Sequence, residues 1–256
     1  MAQVAVSKEP AVGEIGWEDL RAALRLGWQD FLASPFIGLS FGAVFALGGL
    51  LIYLILQVWG TPWMILPLAL GFPLIGPFLA VGLYEVSRRR ELGLPLDAGA
   101  VLGVVFRQKD RQIPSMCAVI VGLFLAWTFL GHSIFALFMG LNPETRYAST
   151  AEMLLSAEGI GMLTVGSLVG AGVAFVLYGI TVVSLPLLLD RELDFVTAMI
   201  TSFGVVRHNP VPMLGWGIFL GALTLLAMLP VFLGLLVVFP LFGHASWHLY
   251  RRAVLP

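Results

Sequence analysis

The sequence predicts an all-α membrane protein. Six transmembrane helices form three repeats, each an interfacial amphipathic helix followed by a transmembrane hairpin. Three observations predict this. The 256 residues are 59% hydrophobic and only 11% charged, with a mean hydropathy of +0.96. A soluble domain is about 45–50% apolar and about 25% charged, so a chain this poor in charge needs lipid as its solvent. The apolar residues also fall into uncharged runs long enough to cross a bilayer, which takes roughly 20 residues at about 1.5 Å rise each. Finally, one small pattern recurs in Phe72-Pro73-Leu74-Ile75-Gly76, Phe175-Val176-Leu177-Tyr178-Gly179 and Phe239-Pro240-Leu241-Phe242-Gly243. Gly76 to Arg88 and Gly179 to Arg191 have the same spacing, so the first two copies leave the membrane in register.

The segment Met1 to Gly16 carries Lys8, Glu9 and Glu14 and no apolar core. It reads as a disordered cytoplasmic tail rather than a cleavable signal peptide. Residues 17–256 read as one six-helix domain, with repeats at about 17–91, 97–192 and 194–252. In the first repeat, Trp17, Leu20, Leu24, Trp28 and Phe31 fall at helical spacing, with Glu18, Arg21 and Arg25 elsewhere on the wheel. Val101, Leu102, Val105 and Phe106 form the equivalent face in the second repeat. Phe195, Met199, Ile200, Phe203 and Val206 form it in the third. Helices of this kind lie flat at the interface, apolar face toward the lipid.

The crossings follow in order. The first runs from Pro35 to Val58, and the second from Pro62 to Tyr84 after a Trp59-Gly60-Thr61 turn. The third is Ile113 to Gly140 and the fourth Gly159 to Leu189. The block Pro212 to Tyr250 is long enough for two, and Pro230 is where it divides. Between crossings three and four, Leu141 to Glu158 forms the longest outer loop. There Ser149 and Glu152 have capping-box spacing, which predicts a turn or two of helix with Met153, Leu154 and Leu155 resting on the bundle.

Basic residues set the orientation. With an inner N-terminus and six crossings, all but one of the 14 Lys and Arg residues fall inside, and Arg146 is the exception. By the positive-inside rule this places both termini in the cytoplasm. The net charge of −1 argues for no nucleic-acid partner. The single cysteine, Cys117, excludes an intramolecular disulfide.

Candidate functional residues are few. Charge inside a bilayer is costly and usually functional, yet crossings one, four and five contain no ionisable side chain. Glu85, with Arg88 and Arg89 at i+3 and i+4, reads as an interfacial ion pair, or as a gate or partner contact. His132 reads as a hydrogen-bonded group near the outer interface. His244 and His248 share a face near the inner end of the last helix and are weak candidates for haem or metal. The favoured reading is a polar inner cap, with Arg251 and Arg252 on lipid phosphates. Pro73 and Gly76, and Pro240 and Gly243, break the second and sixth helices, either to kink them for packing or to line a path. No nucleophile, phosphate-loop or metalloprotease motif is visible, so no catalytic residue, metal or cofactor is assigned.

Two segments carry a resemblance. Pro73-Leu74-Ile75-Gly76-Pro77-Phe78, running into Gly82-Leu83-Tyr84-Glu85-Val86-Ser87-Arg88-Arg89, is one. Gly243-His244-Ala245-Ser246-Trp247-His248-Leu249-Tyr250-Arg251 is the other. Together they resemble domain-of-unknown-function family 2189, bacterial multi-pass inner-membrane proteins, from about Trp17 to the C-terminus. The resemblance implies a membrane location and no assigned reaction. Members have sometimes been labelled cytochrome oxidase subunit I, but this chain's four histidines are too few for that subunit's haem and copper ligands. The expected function is non-catalytic, as an accessory or assembly protein that contacts the lipid bilayer and another membrane complex. The alternative is a small transporter or channel for a neutral or lipidic solute.

Overall fold

The computed structural model describes residues 10–55, 58, 65–140 and 149–255. Among them the secondary structure is helical: α1 (Trp17–Ala33), α2 (Pro35–Leu54), α3 (Ile65–Glu91), α4 (Ala98–Arg107), α5 (Ile113–Met139), α6 (Thr150–Leu155), α7 (Ala157–Thr181), α8 (Ser184–Asp190), α9 (Phe195–His208), α10 (Pro210–Met228) and α11 (Leu235–Ala253). Four stretches are long and apolar enough to cross a membrane: α2, α5, α7 with α8, and α10. α3 and α11 are also long, but each ends in charge, at Arg88-Arg89-Arg90 and at Arg251-Arg252.

The chain divides into two compact units, Met1–Ala118 with Gly179–Pro256, and Val119–Tyr178. In the first, α11 is the hub, packed against α1, α2 and α3. Glycines let the backbones close. A Cβ on Gly27 of α1 would stand 2.7 Å from the Ala245 backbone nitrogen, and one on Gly42 of α2 would stand 2.6 Å from the Leu236 carbonyl oxygen. A Cβ on Gly243 would meet Leu83 at 2.5 Å.

Local chemistry explains the helix ends. Asp97 accepts from the Ala100 backbone N–H at 2.8 Å, and Asp194 accepts from that of Thr197 at 2.9 Å, capping α4 and α9. Pro35 and Pro210 occupy the first position of α2 and α10, where no N–H is needed. The corners before them are alike, with Ser34 at φ −143°, ψ 60° and Asn209 at φ −121°, ψ 57°. The expected fourth crossing is interrupted at Val182 and Val183, between α7 and α8. Pro186 lacks the N–H that would reach the Val182 carbonyl. Ser202 of α9 serves the break instead, accepting from the Val183 N–H at 3.1 Å and donating to the Gly179 carbonyl at 2.7 Å. The final apolar block turns after Met228, through Pro230, with Val231 and Phe232 at φ 51° and 65°. That conformation is unfavourable for a β-branched side chain.

Several expectations are corrected. The N-terminal tail is not free up to Gly16. The Gly13 N–H donates to the Ala253 carbonyl at 2.9 Å, and Asn209 accepts from the Ile15 N–H at 2.8 Å while donating to the Gly13 carbonyl. Residues 1–9 lie outside the described residues. In the three short helices one part of the expected apolar face is packed on the protein and another part is left exposed. α1 packs through Leu20, Ala23, Gly27, Asp30 and Phe31 and leaves Trp17 and Trp28 exposed. α4 packs through Val101 and Val104 and exposes Leu102 and Phe106. α9 packs through Ala198, Thr201, Ser202, Val205 and Val206 and exposes Ile200 and Phe203. Small residues within these stripes, Ala23 and Gly27 of α1 and Ala198 and Ser202 of α9, permit close helix approach, whereas α4 packs through two valines.

Within Val119–Tyr178, Ser149 accepts from the Glu152 N–H at 3.2 Å and caps α6, as its spacing predicts. Leu155 does not rest on the bundle, being 78% exposed. The Trp59-Gly60-Thr61 turn and Arg146 lie outside the described residues.

Candidate functional site: a buried polar layer

The C-terminal turns of α3, α8 and α11 meet α1 in a layer of charged and polar side chains. α3 contributes Glu85, Ser87, Arg88, Arg89, Arg90 and Glu91. Ser87, Arg90 and Glu91 reach α11 or α1, while Glu85, Arg88 and Arg89 bond one another, the loop before α4 and α8. Glu85 is 1% exposed and accepts from Arg89 Nε at 2.8 Å and Arg88 Nη1 at 3.3 Å. Arg89 also donates to the Pro95 carbonyl at 2.9 Å, tying α3 to the loop before α4. The expected pairing with Arg88 and Arg89 is present, with the carboxylate buried rather than at the surface. A buried carboxylate stripped of one partner costs about 3–5 kcal/mol.

Asp30 of α1 is the centre that sequence reasoning missed. It is buried and joins three helices: Arg90 Nη1 of α3 at 2.5 Å on Oδ1 and His248 Nε2 of α11 at 2.7 Å on Oδ2. Burial by itself raises the Asp30 carboxyl, but hydrogen bonds from His248 and Ser87 and the positive potential of the histidines outweigh it and hold the group below its ordinary 3.8. The sequence carried one signal for Asp30, its spacing from Leu20, Ala23 and Gly27, which makes it part of the small-residue stripe and not of the charged face.

His244 and His248 share a face as predicted, but their environments diverge. His244 is fully buried. Its Nδ1 shares a hydrogen bond with Ser87 Oγ at 2.9 Å, and its Nε2 has no partner. A Ser–His pair working as nucleophile and base needs a third group orienting the far ring nitrogen. Here Asp30 bonds His248 instead, and Ser87 is sealed from solvent. Among the described residues no three His, Cys, Asp or Glu side chains group so as to hold a metal ion.

Further out, Trp247 Nε1 donates to Glu91 at 3.0 Å and Tyr250 Oη to Asp190 at 2.7 Å. Arg251 bridges Glu91 and Asp190, and Arg252 pairs with Asp19 at 2.8 Å. The two arginines expected on lipid phosphates are therefore held by protein carboxylates.

Of the helix-breaking residues, Pro240 is buried and faces Gly38 of α2, and Gly243 closes on Leu83. Gly76 has no atom within 4 Å of a Cβ position. The Pro73 side chain lies outside the described residues. His132 Nδ1 bonds the Thr128 carbonyl at 2.7 Å on its own helix and joins no cluster.

The layer can do one thing well. It neutralises charge on the ends of four helices so that they pack with little free charge between them. Residues 65–190 match a family model described as predicted integral membrane protein (DUF2189). That stretch runs from α3 to α8, so the Gly243 to Arg251 segment lies beyond it. No curated protein and no solved structure matches the chain.

Proposed function

For a multi-pass membrane protein whose residues 65–190 are the DUF2189 region, we propose a non-catalytic role as an accessory or assembly protein of another membrane complex. The setting is the bacterial cytoplasmic membrane, with both termini cytoplasmic and six crossings in three repeats of interfacial helix plus hairpin. The matching corners at Ser34-Pro35 and Asn209-Pro210 support the repeat.

One observation carries the reading. The ionisable groups of the buried layer bond each other, and the Pro/Gly segment of α11 is closed by packing against α2 and α3. A carrier or enzyme keeps such groups open to a ligand. By contrast, positions on α5 and α7 at Gly122, Gly131, Gly166 and Gly172 have nothing within 4 Å of a Cβ position. Stripes of small residues are how one membrane helix admits another.

The test is purification of the tagged protein in a mild detergent with mass spectrometry of co-eluting chains. A stoichiometric membrane partner is expected, and a protein that elutes alone overturns the reading. A transporter or channel for a neutral or lipidic solute is the second reading, favoured by the open space at Gly76, although α3 runs unbroken through Pro73 and Gly76. Solute flux in proteoliposomes that Gly76→Leu abolishes would establish it.

A further inference from the structure

The end of α3, helix α4 and the 3-10 turn Gln108–Asp110 enclose a cleft of ≈ 220 Å³ beside the charged layer. That is about seven times a water's share of liquid volume, enough for a phosphate with a small headgroup. Arg88, Arg107 and Arg111 line it, against one carboxylate, Glu85. Glu85 is already engaged by Arg89 Nε at 2.8 Å. Among the described residues Arg111 is held only by Glu192, a carboxylate 86% exposed, and such surface pairs exchange readily. Arg88 is shared between Glu85 at 3.3 Å and Asp190 at 3.8 Å. Arg107 makes no hydrogen bond or ion pair among the described residues. The lining therefore has guanidinium donors to spare.

Gln108 is an independent pointer. It is 3% exposed and lines the cleft, yet its Oε1 has no hydrogen-bond partner. A buried amide oxygen without a donor costs about 1–3 kcal/mol. A ligand that carries a hydroxyl beside its anionic group satisfies it. Finally, α4 leaves Leu102 and Phe106 exposed, the latter at 69%, next to Arg107. An apolar face flanking a basic cleft at the end of membrane helices suits a lipid, with its tail on the face and its phosphate in the cleft.

We propose that this cleft binds the phosphodiester of an anionic glycerophospholipid whose headgroup bears a hydroxyl. Guanidinium forks of Arg107, Arg111 and Arg88 take the phosphate oxygens. Gln108 Oε1 accepts from the headgroup hydroxyl. The site depends on the protein being membrane-embedded and not on its accessory role.

The experiment is native mass spectrometry of the full chain in detergent, titrated with phosphatidylglycerol, phosphatidic acid or phosphatidylcholine. Phosphatidylglycerol adducts are expected to persist where phosphatidylcholine adducts do not. Arg107→Gln is expected to weaken them about fivefold, while Arg207→Gln on exposed α9 leaves them unchanged. Gln108→Leu is expected to weaken phosphatidylglycerol binding and to leave phosphatidic acid, whose headgroup lacks the glycerol hydroxyl, unchanged. Unchanged thermal midpoints establish that the variants are folded. Equal retention of phosphatidylcholine, or equal loss from Arg107→Gln and Arg207→Gln, overturns the site. Displacement of the lipid by low-millimolar inorganic phosphate assigns the cleft to a soluble phosphate and overturns the lipid.

Discussion

Glycine serves opposite ends in the two units of this chain. Around α11, glycines at the tight crossings have a backbone or side chain pressed on them, Gly27 on Ala245, Gly42 on Leu236, Gly82 on Phe41 and Gly243 on Leu83, while Gly76 and Gly221 of the same unit stand open. In Val119–Tyr178, Gly161 and Gly170 are covered by Phe138 and Trp127, but Gly122, Gly131, Gly166 and Gly172 meet nothing. The two units also treat charge differently. The α11 region buries Asp30, Glu85 and His244, whereas the described helices α5 and α7 carry scarcely any charge along their apolar length. A region that locks helices together uses close backbones and paired charges. A region meant to face lipid or another helix keeps its surface apolar and its small residues open.

The largest break in that contrast is expected from Gly27→Leu. Its side chain would run into the α11 backbone, which cannot swing aside, and the loss of stability is at least about 3 kcal/mol. Thermal midpoints in detergent measure it, and a fall of only a degree or two would mean that α1 and α11 are not locked.

Asp30→Ala is next. It leaves Arg90 and His248 unpaired, at about 3 kcal/mol. The carboxyl is held below its ordinary value, so its contribution is present above the unfolded value of about 3.9 and is lost as pH falls through the folded one. The advantage of wild type over Asp30→Asn should therefore hold at neutral pH and shrink below about pH 4. An advantage that grows on acidification would reverse the assignment.

Trp247→Phe keeps the ring and removes only the donor to Glu91, at about 1 kcal/mol. Smallest is Gly166→Ala. With open space and no lost contact, it should raise stability by about 0.5–1 kcal/mol through helix propensity. If it weakens instead, that face of α7 is packed in the folded protein.

The fall of the apolar runs, the proline-marked starts of α2 and α10, the Ser149 cap and the turn near Pro230 could all be read along the chain. Each depends on residues close in sequence, through hydropathy, a fixed φ, or a side chain reaching three residues on. The site was legible in part. Glu85, Arg88, Arg89, His244 and His248 stood out because they are polar residues in apolar company. Asp30, Ser87 and Arg90 did not, since the spacing of Asp30 from Ala23 and Gly27 is the one local mark that separates it from a solvated acid on an amphipathic helix.

The sequence by itself determined a membrane-embedded all-α chain, because hydropathy is additive along the backbone and needs no partner. Only the tertiary structure decided which face of each short helix turns inward. Packing on α11, α3 and α8 selects the stripes through Gly27 and Asp30 of α1, Val101 and Val104 of α4, and Ser202 and Val205 of α9. That same choice carries Asp30 to Arg90 and His248, far away in the chain, and turns solitary charges into a layer.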